Sequence, residues 1–358
     1  MSSTKDDGTA SAAAEQLGSM SLGESAERKG EPETKNEDDT NGTPTKKLCS
    51  KCGKESDTLK KCTACKCVSY CSKDCQNRHW KEHKKECKPI KKELAKRGGK
   101  LDLGTELDVG PLGKLPPREE CPICMRVLPI HPKLHTYAPC CGKTLCCGCN
   151  YQHQTKSSEQ AVLPTCAFCR TTVPRSIEEE LALRSKRIEL KDPDALMGMA
   201  MDYSCGRNGM PVDHAKCIGL LREVVDLGFT TAQYQIGAFH STGEMGLEQN
   251  EEEAFKCYKE AAEGGHLIAR HSLGCTEGRN GNHAAAMRHV RLSASGGYRR
   301  SMGSLVSCFE GGLLQHKDLA ETLQAFYCAR TEMKSEDRDQ YIKLLKETGE
   351  YREEIHDF

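Results

Sequence analysis

Aromatic side chains are scarce in this sequence. They make up 5% of 358 residues, and tryptophan occurs once, at Trp80. That scarcity argues against one large core built on aromatic packing. Net charge is missing as well: 52 Lys and Arg balance 52 Asp and Glu. The balance excludes a uniformly basic nucleic-acid coat and an acidic solvating chain. No run approaches the roughly 20 apolar residues of a membrane helix, so no membrane partner is expected. The opening residues Met1-Ser2-Ser3-Thr4-Lys5-Asp6-Asp7 lack the apolar stretch of a secretory signal. Neither a phosphate-binding glycine loop with its lysine nor a His-Glu-x-x-His pair is found. The expected compartment is therefore cytoplasmic or nuclear.

Cysteine is in excess, with 23 residues concentrated in the first half. In a reducing compartment, clustered cysteines bind metal more often than they form disulfides. Composition divides the chain. Residues 1–47 hold ten acids, six bases and almost no large apolar residue, which predicts a disordered tail. A first Cys-rich block spans 48–90. A basic linker with Gly98-Gly99 and Pro116-Pro117 spans 91–119. A second Cys-rich block spans 120–175, a connecting helix 176–191, helical repeats 192–330 and a C-terminal capping helix 331–358.

The first block reads Cys49-x2-Cys52-x9-Cys62-x2-Cys65-x5-Cys71-x3-Cys75-x7-His83-x3-Cys87. Eight ligands suffice for two tetrahedral zinc sites. Cys71/Cys75 and His83/Cys87 are spaced for one helical face. Ser72 is a candidate N-cap, and Pro89 should end the helix near Cys87. Some 40 residues with so little apolar bulk cannot fold on their core alone. Structural zinc contributes on the order of 10 kcal/mol per site, which compensates. Cys67 and His79 are left over and read as surface or packing residues.

The spacing, with Tyr70 before Cys71 and Cys75-Gln76-x3-Trp80-x2-His83, closely resembles the MYND zinc finger. The resemblance implies interleaved ligands: Cys49, Cys52, Cys71 and Cys75 on one ion, Cys62, Cys65, His83 and Cys87 on the other. It also implies a groove for short proline-containing peptides, lined here by Thr63, Gln76 and Trp80. The plainer reading makes Trp80 the core of the small domain. Residues 48–100 carry 16 Lys and Arg against 6 Asp and Glu. A solvated helix face accounts for this charge, and no interleaved aromatics offer base stacking. Nucleic acid is not the expected partner.

The second block runs Cys121-Pro122-Ile123-Cys124, then Cys140-Cys141-Gly142-Lys143-Thr144-Leu145-Cys146-x2-Cys149, then Cys166-Ala167-Phe168-Cys169-Arg170. It resembles a RING finger, which implies a second cross-braced pair of zinc ions. Cys121, Cys124, Cys146 and Cys149 would hold one. Cys141, Cys166 and Cys169 would supply three ligands for the other. Lys143 stands where such fingers commonly place histidine. Cys140 is the leading fourth ligand, with Cys147, His135 and His153 as alternatives. RING fingers of ubiquitin ligases position a charged conjugating enzyme rather than act as chemical catalysts. The family's contact positions fall on Ile123 and Arg170, whereas its usual proline is Ala167. A zinc-stapled interaction module is the plainer reading.

From Asp192 four units follow: 192–228, 229–265, 266–297 and 298–330. Small residues recur at Ala195, Ala232, Ala269 and Ser301. A second small or β-branched series falls at Ala200, Gly237, Gly274 and Val306. The first three units close on glycine, which supplies the positive φ that ends a helix. Two packed helices per unit are expected. Ala254-x3-Tyr258-x2-Ala261-Ala262-Glu263-Gly264-Gly265-His266 resembles a Sel1-like repeat, cousin of the tetratricopeptide family. The resemblance implies an α-solenoid whose face binds protein segments. Cys205, Cys217, Cys257, Cys275, Cys308 and Cys328 read as small buried hydrophobes.

The expected protein is multi-domain: two small cross-brace zinc fingers, MYND and RING-like, and an all-α Sel1/TPR-like solenoid. About four structural Zn2+ are expected. The leading function is a protein-interaction adaptor. The alternatives are a RING-type ubiquitin ligase and a nuclear transcriptional regulator working through the basic first block.

Overall fold

The computed structural model describes residues 48–101, 107–160 and 163–351. The expected disordered tail, 1–47, lies outside the described residues. The first finger opens with a short antiparallel pair, β1 (Lys60–Lys61) and β2 (Ser69–Tyr70), followed by α1 (Lys73–Lys96). The Ser72 hydroxyl accepts from the Cys75 N–H at 3.1 Å and caps α1. Contrary to expectation, α1 does not stop at Pro89 but runs about two turns further, to Lys96. Proline removes its own N–H and crowds the carbonyl four residues back, a local cost of about 3 kcal/mol. Ile90 and Leu94, both buried beyond it, keep the helix going by packing into a larger core. Arg97 closes the end, its guanidinium donating to the Phe309 carbonyl at 2.6 Å.

The second finger contains a 3-10 turn (Pro132–Leu134), an antiparallel pair β3 (His135–Ala138) and β4 (Lys143–Cys146), and α2 (Cys147–Glu159). The helical part follows: α3 (Ile177–Glu189), α4 (Pro193–Cys205), α5 (His214–Asp226), α6 (Thr230–Thr242), α7 (Glu251–Glu263), α8 (Leu267–Arg279), α9 (His283–Ser295), α10 (Arg299–Glu310), α11 (His316–Met333) and α12 (Glu336–Glu347). Helices α4 to α11 form four two-helix units, each packed on the next. The recurring small residues explain the close stacking. Ala195, Ala232, Ala269 and Ser301 are completely buried. A Cβ added at Gly237 would lie 2.8 Å from Cys257 Cβ, and one at Gly274 2.7 Å from Val290 Cγ2. Gly228, Gly265 and Gly297 end their units at φ 85°, 93° and 98°, where other residues are strained.

No single core holds the molecule. One cluster joins Val68, Tyr70, Ile90 and Leu94 of the first finger to Met302, Leu305, Phe309, Leu319 and Phe326 of α10 and α11. Another fills α4 to α7. A third sets Leu134 of the second finger against Met333, Ile342 and Leu345. The C-terminal segment expected as a cap thus supplies α12, which packs against α2. The described residues of the linker region 91–119 also pack on the rest of the chain. Its start belongs to α1, and residues 107–118 lie extended along the helical units.

Candidate metal centres and binding faces

Four of the five Cys-x2-Cys turns are built the same way; the fifth, Cys146–Cys149, instead opens α2 with Cys146 as its N-cap. In the four, the residue after the second cysteine has left-handed backbone: Gly53 (φ 69°), Lys66 (58°), Met125 (53°) and Arg170 (64°). Its N–H donates to the carbonyl of the first cysteine, at 2.9 Å in the first three turns and 3.0 Å at Arg170. This turn points both thiols of a pair to the same side. The two such turns of the second finger are therefore close copies of those in the first.

The thiols gather into four groups: Cys49, Cys52, Cys71 and Cys75; Cys62, Cys65, His83 and Cys87; Cys121, Cys124, Cys146 and Cys149; Cys140, Cys141, Cys166 and Cys169. Within each, the donor atoms lie within 4.8 Å of one another. Tetrahedral zinc with Zn–S near 2.3 Å spaces its sulfurs about 3.8 Å apart. The observed separations suit that: 3.7 Å for Cys52–Cys71, 3.6 Å for Cys71–Cys75, 3.9 Å for Cys62–Cys87, 4.0 Å for Cys124–Cys146 and 3.9 Å for Cys141–Cys166. These distances far exceed a disulfide bond. In both fingers the groups interleave along the chain, so each ion would tie two distant turns together.

The fourth group contains both Cys140 and Cys141, and Cys140 Sγ is 3.4 Å from Cys169 Sγ. The other fourth-ligand candidates are engaged elsewhere. The Cys147 thiol lies 3.5 Å from the Lys133 carbonyl, His135 Nε2 2.6 Å from the Pro129 carbonyl and His153 Nε2 2.9 Å from Thr165 Oγ1. Arg187 of α3 holds the Cys140 loop by donating to the Pro139 and Cys140 carbonyls.

Trp80 is 44% exposed at the surface of the first finger, its ring edge-on to His83, and is not that finger's core. Tyr70, Val68 and Ile90 fill that role. Gln76 is half-buried and Thr63 exposed. Thr63 also lines an open cavity of about 680 Å³ with Lys61, Lys66, Leu101, His316 and Lys317. The leftover residues both pack. The Cys67 thiol is buried 3.3 Å from His316 Nε2. His79 is buried 3.0 Å from the Tyr70 hydroxyl, and burial pushes its imidazole down to about 3, so it is neutral.

In the second finger Ile123 is 40% exposed, and Met125 (68%) and Phe168 (43%) add apolar surface. Arg170 is exposed and lies 2.8 Å from His153 Nδ1. Two buried residues carried no sequence signal. Arg338 of α12 inserts its guanidinium beneath the first knuckle, donating to the Val127 carbonyl at 2.7 Å and facing Cys124 Sγ at 3.5 Å. Gly148 of α2 makes room for it: a Cβ there would lie 2.6 Å from the Arg338 backbone nitrogen.

Of the scattered cysteines, Cys217, Cys257, Cys275 and Cys308 are buried, while Cys328 is half-buried and Cys205 exposed. Cys275 lies 3.6 Å from His271 Nε2, but the pair is shut inside the helices. Burial raises the thiol to about 11 and lowers the imidazole to about 4, the reverse of an activated nucleophile.

Comparison with known proteins settles part of this. The family model of the MYND finger matches residues 49–87. The first finger is a MYND finger. The Sel1 repeat model matches residues 193–229 and 230–266, the first two of the four helical units. Both are modules through which proteins bind proteins. Curated relatives match over the MYND region alone. A SET domain-containing protein of Caenorhabditis elegans is 51% identical over 43 residues, 12% of this chain and 10% of that protein. A SET and MYND domain-containing protein of Dictyostelium discoideum is 51% identical over 47 residues, 12% and 9%. A human histone-lysine N-methyltransferase is 39% identical over 44 residues, 12% and 10%. The chain thus spans about a tenth of the length of these relatives. Among solved structures, a Sel1 repeat protein of Oxalobacter formigenes aligns at TM-score 0.32 and 23% identity, over 35% of this chain and 96% of that one. A protective antigen of uropathogenic Escherichia coli with an SLR fold aligns at TM-score 0.36 and 22% identity, over 47% and 36%. The four cysteine-rich groups are consistent with structural zinc. Among the described residues no helix is long and apolar enough to cross a membrane.

Proposed function

We propose that this chain is a zinc-stapled adaptor that brings protein segments together. Zinc is held by Cys49, Cys52, Cys71 and Cys75, and by Cys62, Cys65, His83 and Cys87, in the MYND finger. The second finger uses Cys121, Cys124, Cys146 and Cys149 for one ion and Cys140, Cys141, Cys166 and Cys169 for the other. The metal acts on shape alone. The exposed Trp80 beside half-buried Gln76 carries the reading: a flat indole left open by the solenoid is suited to a proline ring. The test is titration of proline-containing peptides onto the full chain, with wild type and Trp80→Ala compared at measured zinc content. Binding lost at least tenfold in the variant, at unchanged zinc, supports the adaptor. Equal binding by both proteins removes Trp80 from it.

A second reading, a RING-type ubiquitin ligase, is favoured by exposed Ile123 and by Arg170 directly after the last cysteine. Autoubiquitination across a panel of conjugating enzymes tests it. Chains formed by wild type and lost in Ile123→Ala and Arg170→Ala support a ligase. A fully zinc-loaded protein that forms no chains with any enzyme of the panel excludes it.

A further inference from the structure

The linker between the two fingers behaves like a bound peptide. Residues 107–118 form no helix or strand, yet they touch in turn the α10–α11 connection, α9 and the turns at Gly265 and Gly296. Val109 is fully buried within the core shared by the MYND finger and α9 to α11. The Leu107 N–H reaches the Leu313 carbonyl at 3.3 Å. The Gly110 carbonyl accepts from Arg291 at 2.7 Å. That guanidinium is itself buried and fixed by Glu321 at 2.8 Å and Asp318 at 3.2 Å. Further along, Gly113 lies over the Leu292 side chain, Leu115 over Gly296 and Pro116 over Gly265. Arg118 ends the run on the Gly296 carbonyl at 3.2 Å.

Two features distinguish this from an ordinary connection. First, Leu115 and Pro116 rest where the repeat-closing turns carry no side chain. A Cβ at Gly296 would lie 2.9 Å from Leu115 Cδ1, and one at Gly265 would overlap Pro116 Cγ. The turns between successive units thus form a shallow groove floored by glycine. Second, the hold is light. Val109 is the one fully buried side chain between 107 and 118; Leu107, Leu112, Leu115 and Arg118 are half-buried, and the rest are exposed.

We propose that this groove is a site for extended segments carrying a β-branched anchor and, six residues later, a Leu-Pro pair, and that residues 107–118 are its resident ligand. Partner binding there is a displacement reaction. The tethered strap has a high effective concentration, so a competitor meets an occupied groove until the strap is loosened. The proposal rests on reading the solenoid as a protein-interaction module, but it does not involve the Trp80 face.

The test uses the full chain and a fluorescent peptide of residues 107–119. The peptide should bind Val109→Asp at least tenfold more tightly than wild type. A peptide with Asp at the positions of Val109 and Leu115 should bind neither. Helix content by circular dichroism and zinc content are measured on each protein. If Val109→Asp is not folded, Leu115→Asp serves as the loosened strap in the same comparison. Equal binding to wild type and variant overturns the gating. A folded, zinc-loaded variant that binds no peptide overturns the site, and a chain that folds in neither variant shows the strap to be a fixed part of the core. The Trp80 titration is unaffected by any of these results, so the adaptor reading stands or falls separately.

Discussion

At the scale of single residues, the molecule depends on groups with no room or no water. Gly274 faces Val290 Cγ2 and the Ala286 carbonyl, at 2.7 Å and 3.0 Å from where a Cβ would be. Backbone cannot give way as a flexible side chain does. Gly274→Ala should therefore cost about 1–3 kcal/mol, read as a lower denaturation midpoint with unchanged zinc. His271 is buried with Nδ1 2.9 Å from the Ser301 hydroxyl, and burial, aided by Arg300, lowers its imidazole to about 4. Unfolded, it takes up its proton near 6.5. The neutral form is thus favoured in the folded protein. Its contribution to stability is complete above pH 6.5, declines as the pH falls and is gone below about 4, at no more than about 1.4 kcal/mol per pH unit. An NMR titration of the His271 ring with its midpoint near 4 is the expected result; a midpoint near 6.5 would refute it.

At the scale of elements, docking of α12 on α2 decides how firmly the second finger holds its metal. The Arg338 guanidinium faces Cys124 Sγ and occupies the Val127 carbonyl, so it fixes a proposed ligand from outside the metal's own shell. Such outer contacts commonly carry a 10–100-fold effect on metal affinity. Arg338→Met should weaken one of the four zinc ions by about that factor in a chelator competition, leaving the MYND pair untouched. What the sequence disclosed, and what it hid, divides along the same line. The Cys-x2-Cys pairs were legible because each is a local device whose turn does not depend on the rest of the chain; which pairs share an ion came from the family resemblances alone, and Cys140 was one of four candidates for its place. The stacking positions Ala195, Ala232 and Ala269 were legible because they recur at a fixed period. The run of α1 through Pro89 was not, since Ile90 and Leu94 owe their burial to helices far along the chain. Arg338 was equally hidden: a charged residue in a surface-like helix gives no sign that its partner is a distant backbone carbonyl.

At the scale of the whole molecule, the MYND finger shares one core with α9 to α11, whereas α4 to α7 have their own, and α8 packs on α7. Removing metal should therefore act at a distance. With a strong chelator, hydrogen exchange should accelerate in α10 and α11 together with α1, and α4 to α7 should keep their protection. Uniform loss across all units would show the solenoid to be one cooperative block instead. The polar seam points the same way. Glu82 joins Lys51 at 3.1 Å to Lys334 at 2.7 Å, and Tyr327 donates to Glu86 at 2.6 Å.

That shared core also imposes an order on synthesis. The His316 ring meets the Cys65 carbonyl across 251 residues of sequence, and Tyr327 meets His83 across 244. At 5–20 residues per second, the ribosome needs roughly 12 to 50 s to cover that distance. For that interval the finished finger waits with Ile90 and Leu94 facing solvent or a chaperone. Zinc captured early would hold the waiting half in shape, so restricting metal during translation should lower the share of chains that reach the final fold.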